Sequence, residues 1–300
     1  MEPPQALDDF KPAKDFFVGI DSDGCVFDTM EIKQKECFIP NVIKHWGLQA
    51  ISKYVRQTHE FVNLYSAHRG ANRWPALVKV FDLLQTRPEV RARMPELPDM
   101  RPLREFIESE GPHSNDSLRQ RLERTGDPTL RRVLAWSEAV NAAIDEFVKA
   151  MPPFPRVRDC LEDLQSKADL IVVSGTPMEA LGKEWADSGI ASYVRLIVGQ
   201  EMGGKADILK RTAAGRYPPD HMLVIGDAPG DLRAARAVGA SFYPINPGDE
   251  EGSWQRFKDD ACDRFLGGRY AGSYEAALIE SFEARLPERP PWAADAKQGA

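Results

Sequence analysis

The stretch "FFVGIDSDGCVFDTM", residues 16–30, runs from a short apolar segment directly into aspartates at positions 21, 23 and 28. Its first part reads as a strand buried on both faces, because a sheet covered by helices on either side leaves continuous rather than alternating apolar runs. Two more runs have the same form, DLIVVSG (169–175) and HMLVIGD (221–227), and two weaker ones follow it, YVRLIVG (193–199) and SFYPI (241–245). Between them the apolar spacing becomes helical. Val157, Leu161 and Leu164 are one such set, Leu181 and Trp185 a second, and Leu232, Ala235 and Val238 a third. Strands alternating with helices predict an α/β fold, a Rossmann-like open parallel sheet with helices on both faces, whose ligands gather at the carboxyl ends of the strands.

The interval after the first strand has another character. Phe38, Val42 and Trp46 repeat helically, as do Trp74, Leu77, Val78 and Phe81, and later Val133, Val140, Ile144 and Phe147. This predicts an inserted all-helical domain over 31–150, with 86–102 as a connection and the proline-rich exit MPPFP (151–155) as a hinge. The α/β core then comprises 13–30 and 151–286. Residues 1–12 and 287–300 are expected to be poorly ordered tails.

Composition sets the outer limits. The 300 residues are 42% hydrophobic and 28% charged, which accommodates one large or two ordinary cores. A net charge of −7 argues against non-specific nucleic-acid binding, which needs a basic surface. No apolar run approaches the roughly 18 residues of a membrane span, and MEPPQALDDFKPAKD lacks the basic start and apolar centre of a signal peptide. A cytoplasmic protein with no membrane partner is expected. Cys25, Cys37, Cys160 and Cys262 lie far apart, so reduced, buried thiols are expected rather than disulfides or a zinc site. Oligomeric state is not readable.

The strand ends carry the chemistry. They bring Asp21-Ser22-Asp23-Gly24, Ser174-Gly175-Thr176 and Gly226-Asp227-Ala228-Pro229-Gly230-Asp231 to one edge of a parallel sheet, with Gly203-Gly204-Lys205 before a helix. Gathered carboxylates repel unless a cation lies among them, and a hard divalent ion, most simply Mg²⁺, offsets that cost. With a lysine and a hydroxyl nearby, such a site suits a phosphoryl group, and a carboxylate can then act as nucleophile. The plainer readings are turn or capping carboxylates for Asp21 and Asp23, a helix-dipole charge for Asp231, a helix cap for Asp28, a turn serine at Ser174 and an N-cap at Thr176.

Taken in order, DSDGCVFD (21–28), VVSGT (172–176), Lys205 in GGKADIL and GDAPGD (226–231) resemble the haloacid-dehalogenase (HAD) superfamily, and within it the phosphatase-like hydrolases with an α-helical, C1-type cap. The resemblance implies that Asp21 is the nucleophile, forming an aspartyl phosphate, and that Asp23 is the general acid and then base. It implies that Ser174 and Gly175 bind the phosphoryl oxygens and that Lys205, rather than Lys183 or Lys210, neutralises charge there. Asp21, Asp227, Asp231 and the Asp23 backbone carbonyl would form the Mg²⁺ site, and the insert would be the mobile cap. An aspartate at position 23 favours phosphate-ester chemistry over dehalogenation, and Cys25 departs from the usual threonine or valine. The function implied is an Mg²⁺-dependent phosphatase of a small phosphorylated metabolite. A phosphomutase and a catalytically silent binding protein are the alternatives. In "YSAHRGANRWPAL" (65–77), Arg69 and Arg73 are spaced to bind an anionic part of the substrate together, or to form a solvated pair.

Overall fold

A computed structural model describes residues 7–94, 96–109 and 113–295. Two compact units divide the chain, the first from Met1–Met30 and Ala150–Leu286, the second from Glu31–Lys149 and Pro287–Ala300. The first is built on five parallel strands: β1 (Phe16–Ile20), β2 (Ala168–Val173), β3 (Leu196–Val198), β4 (Met222–Gly226) and β5 (Ser241–Pro244). Their order is β3-β2-β1-β4-β5, so the chain reverses its direction of growth across β1. The acidic stretch therefore leaves the central strand, flanked by the ends of β2 and β4, which is where an open parallel sheet places a ligand crevice.

Both faces of the sheet are covered, which explains the unbroken apolar runs. Val18, Ile20, Leu170, Val172, Leu223, Ile225 and Tyr243 pack on one side with Leu161, Leu164, Leu181 and Trp185 from the helices Val157–Gln165 and Met178–Asp187. Phe17, Ile171, Val173, Met222, Val224 and Phe242 point the other way, against Ile208, Leu209, Leu232 and Ala235 from Lys205–Thr212 and Pro229–Val238. The strict two-residue alternation between these sets is the pleat itself.

The second unit is helical. Its core gathers Phe38, Val42 and Trp46, Trp74, Leu77, Val78 and Phe81, and Val133 and Val140, with Trp136 in edge-on contact with Phe38, Trp46 and Trp74. Phe147, expected on the last of these stripes, lies at the end of its helix and is exposed. The stretch 86–102, expected as a connection, contains the helix Pro88–Arg93, which a proline in the first turn favours. Among the described residues no helix is long and apolar enough to cross a membrane. The four cysteines are free and buried.

The expected tails require correction where they are described; residues 1–6 and 296–300 lie outside the described residues. Leu7 and Phe10 are buried in the first unit's core, and Arg195 covers the Phe10 ring at 4.5 Å. Arg211 pairs with Asp8 at 2.7 Å, and Arg195 donates to the Lys11 carbonyl at 2.9 Å. At the other end Trp292 packs edge-on against Phe61 at 5.5 Å, and the Arg87 guanidinium stacks on it at 4.3 Å. Single aromatic anchors met by distant arginines leave no periodic signal.

The start of β2 holds the N-terminal segment through Asp169, which is fully buried. Its Oδ2 accepts from the backbone amides of Ala13 (2.7 Å) and Lys14 (3.0 Å) and from the Tyr217 hydroxyl (2.6 Å), while Oδ1 pairs with Arg195 at 2.7 Å. Burial alone would raise this carboxyl. The Tyr217 hydroxyl, the two amides and Arg195 together hold it below its ordinary value. A depressed folded-state value means stability that is complete above the unfolded carboxyl's value of about 4 and is lost as pH falls through the lower folded one. Asp169→Asn is expected to cost about 2 kcal/mol at neutral pH and to flatten the acid limb of the stability curve, measured by urea denaturation at stepped pH.

Candidate active site

The loop after β1 is built from its own sequence and fixed by two tryptophans. Ser22 O accepts from Val26 N (2.8 Å) and Phe27 N (3.1 Å), and Gly24 N donates to Phe27 O at 2.8 Å, so residues 22–27 fold into a compact turn. Trp185 Nε1 donates to Ser22 Oγ at 3.0 Å, and Trp254 Nε1 to Cys25 O at 2.7 Å. The Cys25 thiol is turned to the Ile225 carbonyl, and burial, with Asp21 next in influence, pushes it well above the ordinary thiol range, so it packs as a neutral group. Phe154 N donates to Val26 O at 2.8 Å, so the proline-rich stretch 151–155 runs beside this loop. Asp28 is exposed and immediately precedes the short helix Thr29–Ile32.

Asp21, at the end of β1, is buried, as are Asp227 and Asp231 after β4. Ligand oxygens of these three lie within 4.8 Å of one another, the one such set among the described residues. Lys205 reaches them from the first turn of its helix, with Nζ 2.7 Å from Asp21 Oδ2 and 2.5 Å from Asp231 Oδ1. Lys183 and Lys210 are exposed and pair with Asp187 and Asp207 on their own helices.

The electrostatics are unbalanced as a result. One ammonium faces three carboxylates. Burial pushes the Asp21 carboxyl well above its usual range; Lys205 opposes that push, and Asp231 and Asp227 add to it. Burial works against the Lys205 ammonium too, but Asp21 and Asp231 more than offset it and raise the lysine, which stays charged. Such a set of hard oxygen donors with surplus negative charge matches the requirements of Mg²⁺.

The carboxylates are not equivalent. Asp231 Oδ2 accepts from Ala228 N at 3.1 Å while its Oδ1 holds Lys205, so both oxygens orient the neighbouring loop and lysine. Gly226 makes this possible: a Cβ there would lie 2.5 Å from Asp231 Cγ. Asp21 Oδ1 accepts from Ser22 N at 2.8 Å.

At the end of β2, Ser174 is buried, its N donating to Val198 O at 3.0 Å and its Oγ accepting from Thr176 N at 3.2 Å. The hydroxyl hydrogen of Ser174 stays available to an incoming oxygen. Gly175 beside it is exposed. Asp23 is half-buried and lies between two threonines: Thr176 Oγ1 donates to its Oδ2 at 2.6 Å, and Thr29 Oγ1 donates to Oδ1. Neither threonine was assigned to Asp23 from sequence, and Trp185 was read only as part of an apolar helix face. The partners of Thr176 and Trp185 lie 153 and 163 residues away, where no local pattern reaches, whereas Thr29 is six residues from Asp23.

Arg69 and Arg73 do not form the expected pair. Arg69 is buried in the turn before the helix Arg73–Thr86 and donates to Leu64 O at 3.0 Å. Arg73 stacks on the Phe38 ring at 5.3 Å and donates to Ser137 Oγ and Asn141 Oδ1, each at 2.8 Å. The described contacts of both arginines are within the helical unit. They are therefore not a solvated pair.

A family model of haloacid dehalogenase-like hydrolases matches residues 18–239, a span that holds Asp21, Asp23, Ser174, Lys205, Asp227 and Asp231. No curated protein matches the chain significantly. Among solved structures, a haloacid dehalogenase-like family hydrolase from Streptococcus pneumoniae is 19% identical, covering 80% of this chain and 90% of its own, with a TM-score of 0.40. A predicted phosphoglycolate phosphatase from Haemophilus somnus is 15% identical over 78% of this chain and 86% of its own, TM-score 0.44. A HAD-superfamily hydrolase of subfamily IA from Geobacter sulfurreducens is 16% identical over 78% and 89%, TM-score 0.37.

Proposed function

The chain belongs to the haloacid dehalogenase-like hydrolases, and from that premise we propose that it is an Mg²⁺-dependent phosphatase acting on a small phosphorylated metabolite through an aspartyl-phosphate intermediate. The observation that carries this reading is the buried cluster of Asp21, Asp227 and Asp231 with Lys205 Nζ 2.7 Å from Asp21.

Asp21 is the nucleophile. One of its carboxylate oxygens forms a bond to phosphorus as the bond from phosphorus to the ester oxygen breaks, and the leaving alkoxide takes a proton from Asp23. Water then attacks the aspartyl phosphate, giving its proton to Asp23. Inorganic phosphate leaves and both carboxyl groups return to their starting states. Ser174 Oγ and the amide of Gly175 hold phosphoryl oxygens, and Lys205 neutralises charge on Asp21 and on the transferring group. Asp21, Asp227 and the Asp23 backbone carbonyl are the residues to hold Mg²⁺, with Asp231 orienting Lys205 and the 226–231 loop. Bound there, the ion supplies Lewis-acid stabilisation of the phosphoryl oxygens. A helical insert in the position of the family's cap suits a small ester better than a phosphoprotein.

The test is a panel of metabolite phosphates assayed for released phosphate. Hydrolysis that appears with Mg²⁺ and disappears on chelation supports the reading. Absence of Mg²⁺-dependent hydrolysis across the panel overturns it, and discharge of the trapped intermediate by a sugar rather than water would make the protein a mutase.

A further inference from the structure

We propose that Thr176 is a positioning residue for Asp23, holding the carboxyl group in the orientation that proton transfer to and from the reacting oxygens requires; this rests on the phosphatase reading above. The usual role of a threonine just before a proline-led helix is to cap it. Thr176 does not do so. The helix Met178–Asp187 has no side-chain cap from its N-cap residue, Pro177, and Met178 N donates instead to Glu201, at 3.1 Å and 3.2 Å to the two carboxylate oxygens. The Thr176 hydroxyl turns the other way and meets Asp23 Oδ2 at 2.6 Å.

The backbone beneath that hydroxyl is fixed on both sides. Thr176 N donates to Ser174 Oγ at 3.2 Å, and Thr176 O accepts from Gln200 N at 3.1 Å. The second contact exists because residue 199 is glycine: a Cβ there would stand 2.7 Å from Thr176 O and 2.5 Å from Met178 N. Thr29 holds the opposite oxygen of Asp23 from the β1 side. The carboxyl is therefore gripped at both oxygens by hydroxyls from two separate segments, the loop after β2 and the first residue of the helix Thr29–Ile32.

The choice of hydroxyls is chemically apt. A hydroxyl donates to a carboxylate and accepts from a carboxylic acid, whereas an ammonium or amide N–H can only donate. Asp23 must exist in both forms within one turnover, and a threonine retains it in place through both. The last torsion of aspartate is broad and does not fix the plane of the group unaided. Misplacement of a reacting group by about 1 Å costs on the order of 100-fold.

The experiment compares Thr176→Val, which keeps the shape and removes the hydroxyl, with Thr176→Ser, which keeps the hydroxyl. Both are assayed with Mg²⁺ on the best alkyl phosphate of the panel and on p-nitrophenyl phosphate, with thermal unfolding to establish that each variant is folded. An alkoxide leaving group needs the proton from Asp23 and a nitrophenolate does not. Thr176→Val is expected to lower kcat/KM, which reports phosphoryl transfer to Asp21, by about 10- to 100-fold on the alkyl ester and by less than about threefold on the nitrophenyl ester, whereas the water step, which Asp23 serves as base after either ester, enters kcat for both alike. Thr176→Ser should recover most of the alkyl-ester activity. Equal losses of kcat/KM on both esters, or no loss on the alkyl ester, overturns the role of Thr176 while leaving the phosphatase reading intact. A wild-type chain inactive on every ester overturns both.

Discussion

Asp21→Asn is expected to lower kcat by roughly 10,000-fold or more while leaving the metal-free fold at least as stable as the wild type. The two halves of this expectation have one origin. Asp21 is buried beside Asp227 and Asp231, and burial together with those like charges disfavours its ionised form. An amide of the same shape removes that repulsion, and Lys205 keeps its contact with Asp231 at 2.5 Å. The same amide is no nucleophile and a poor ligand for a hard cation. The variant should therefore lose the acid-stable phosphoryl adduct that the wild type gives on quenching during turnover. It should also show a smaller rise in unfolding temperature on adding Mg²⁺, since stabilisation by a ligand scales with the logarithm of its concentration over its dissociation constant. Undiminished hydrolysis, or an adduct still formed in the variant, would move the nucleophile elsewhere.

What the sequence revealed and what it hid divide along a physical line. Buried parallel strands announce themselves as continuous apolar runs, and β3, three residues long and only partly buried, gave the weaker signal of YVRLIVG. The strand-end residues were legible because a parallel sheet delivers every carboxyl end to one edge, so motifs some 150 to 200 residues apart need no contact information to be grouped. The packing partners of Arg69 and Arg73 were hidden because spacing along a chain says nothing about what lies opposite. One arginine sits in a turn, and the partners that engage the other, Ser137 and Asn141, come from a different helix. Leu7, Phe10 and Trp292 were hidden by their proline-rich, charged surroundings. The partners that bury them, Arg195 for Phe10 and Arg87 for Trp292, are distant in sequence. Thr176 carried a sound local explanation as a helix cap, and only the 2.6 Å contact to Asp23 displaces it.

Lys205→Met should be the most destabilising change in the site and should abolish activity as well. The methionine fills the same length of channel, so the loss measured is that of the charge. Without the ammonium, Asp21 and Asp231 lose their shared partner and three carboxylates remain buried together. Removing one member of a buried charge network costs about 3 to 5 kcal/mol; because a quarter of the Lys205 side chain is exposed, a cost of about 3 kcal/mol is expected in the metal-free protein. Urea denaturation measures it directly, and Mg²⁺ should return part of it by supplying the missing positive charge. Lys205→Arg should not substitute, because the guanidinium fork is wider than an ammonium placed between two carboxylates. The decisive comparison is the double variant Asp21→Asn with Lys205→Met. If the lysine serves chiefly to offset repulsion among the three carboxylates, deleting one of them makes the lysine less necessary, and Asp21→Asn should stabilise the Lys205→Met background by about 1 kcal/mol more than it stabilises the wild type. Strict additivity of the two changes would mean that Lys205 and Asp21 act independently, against the 2.7 Å contact that joins them.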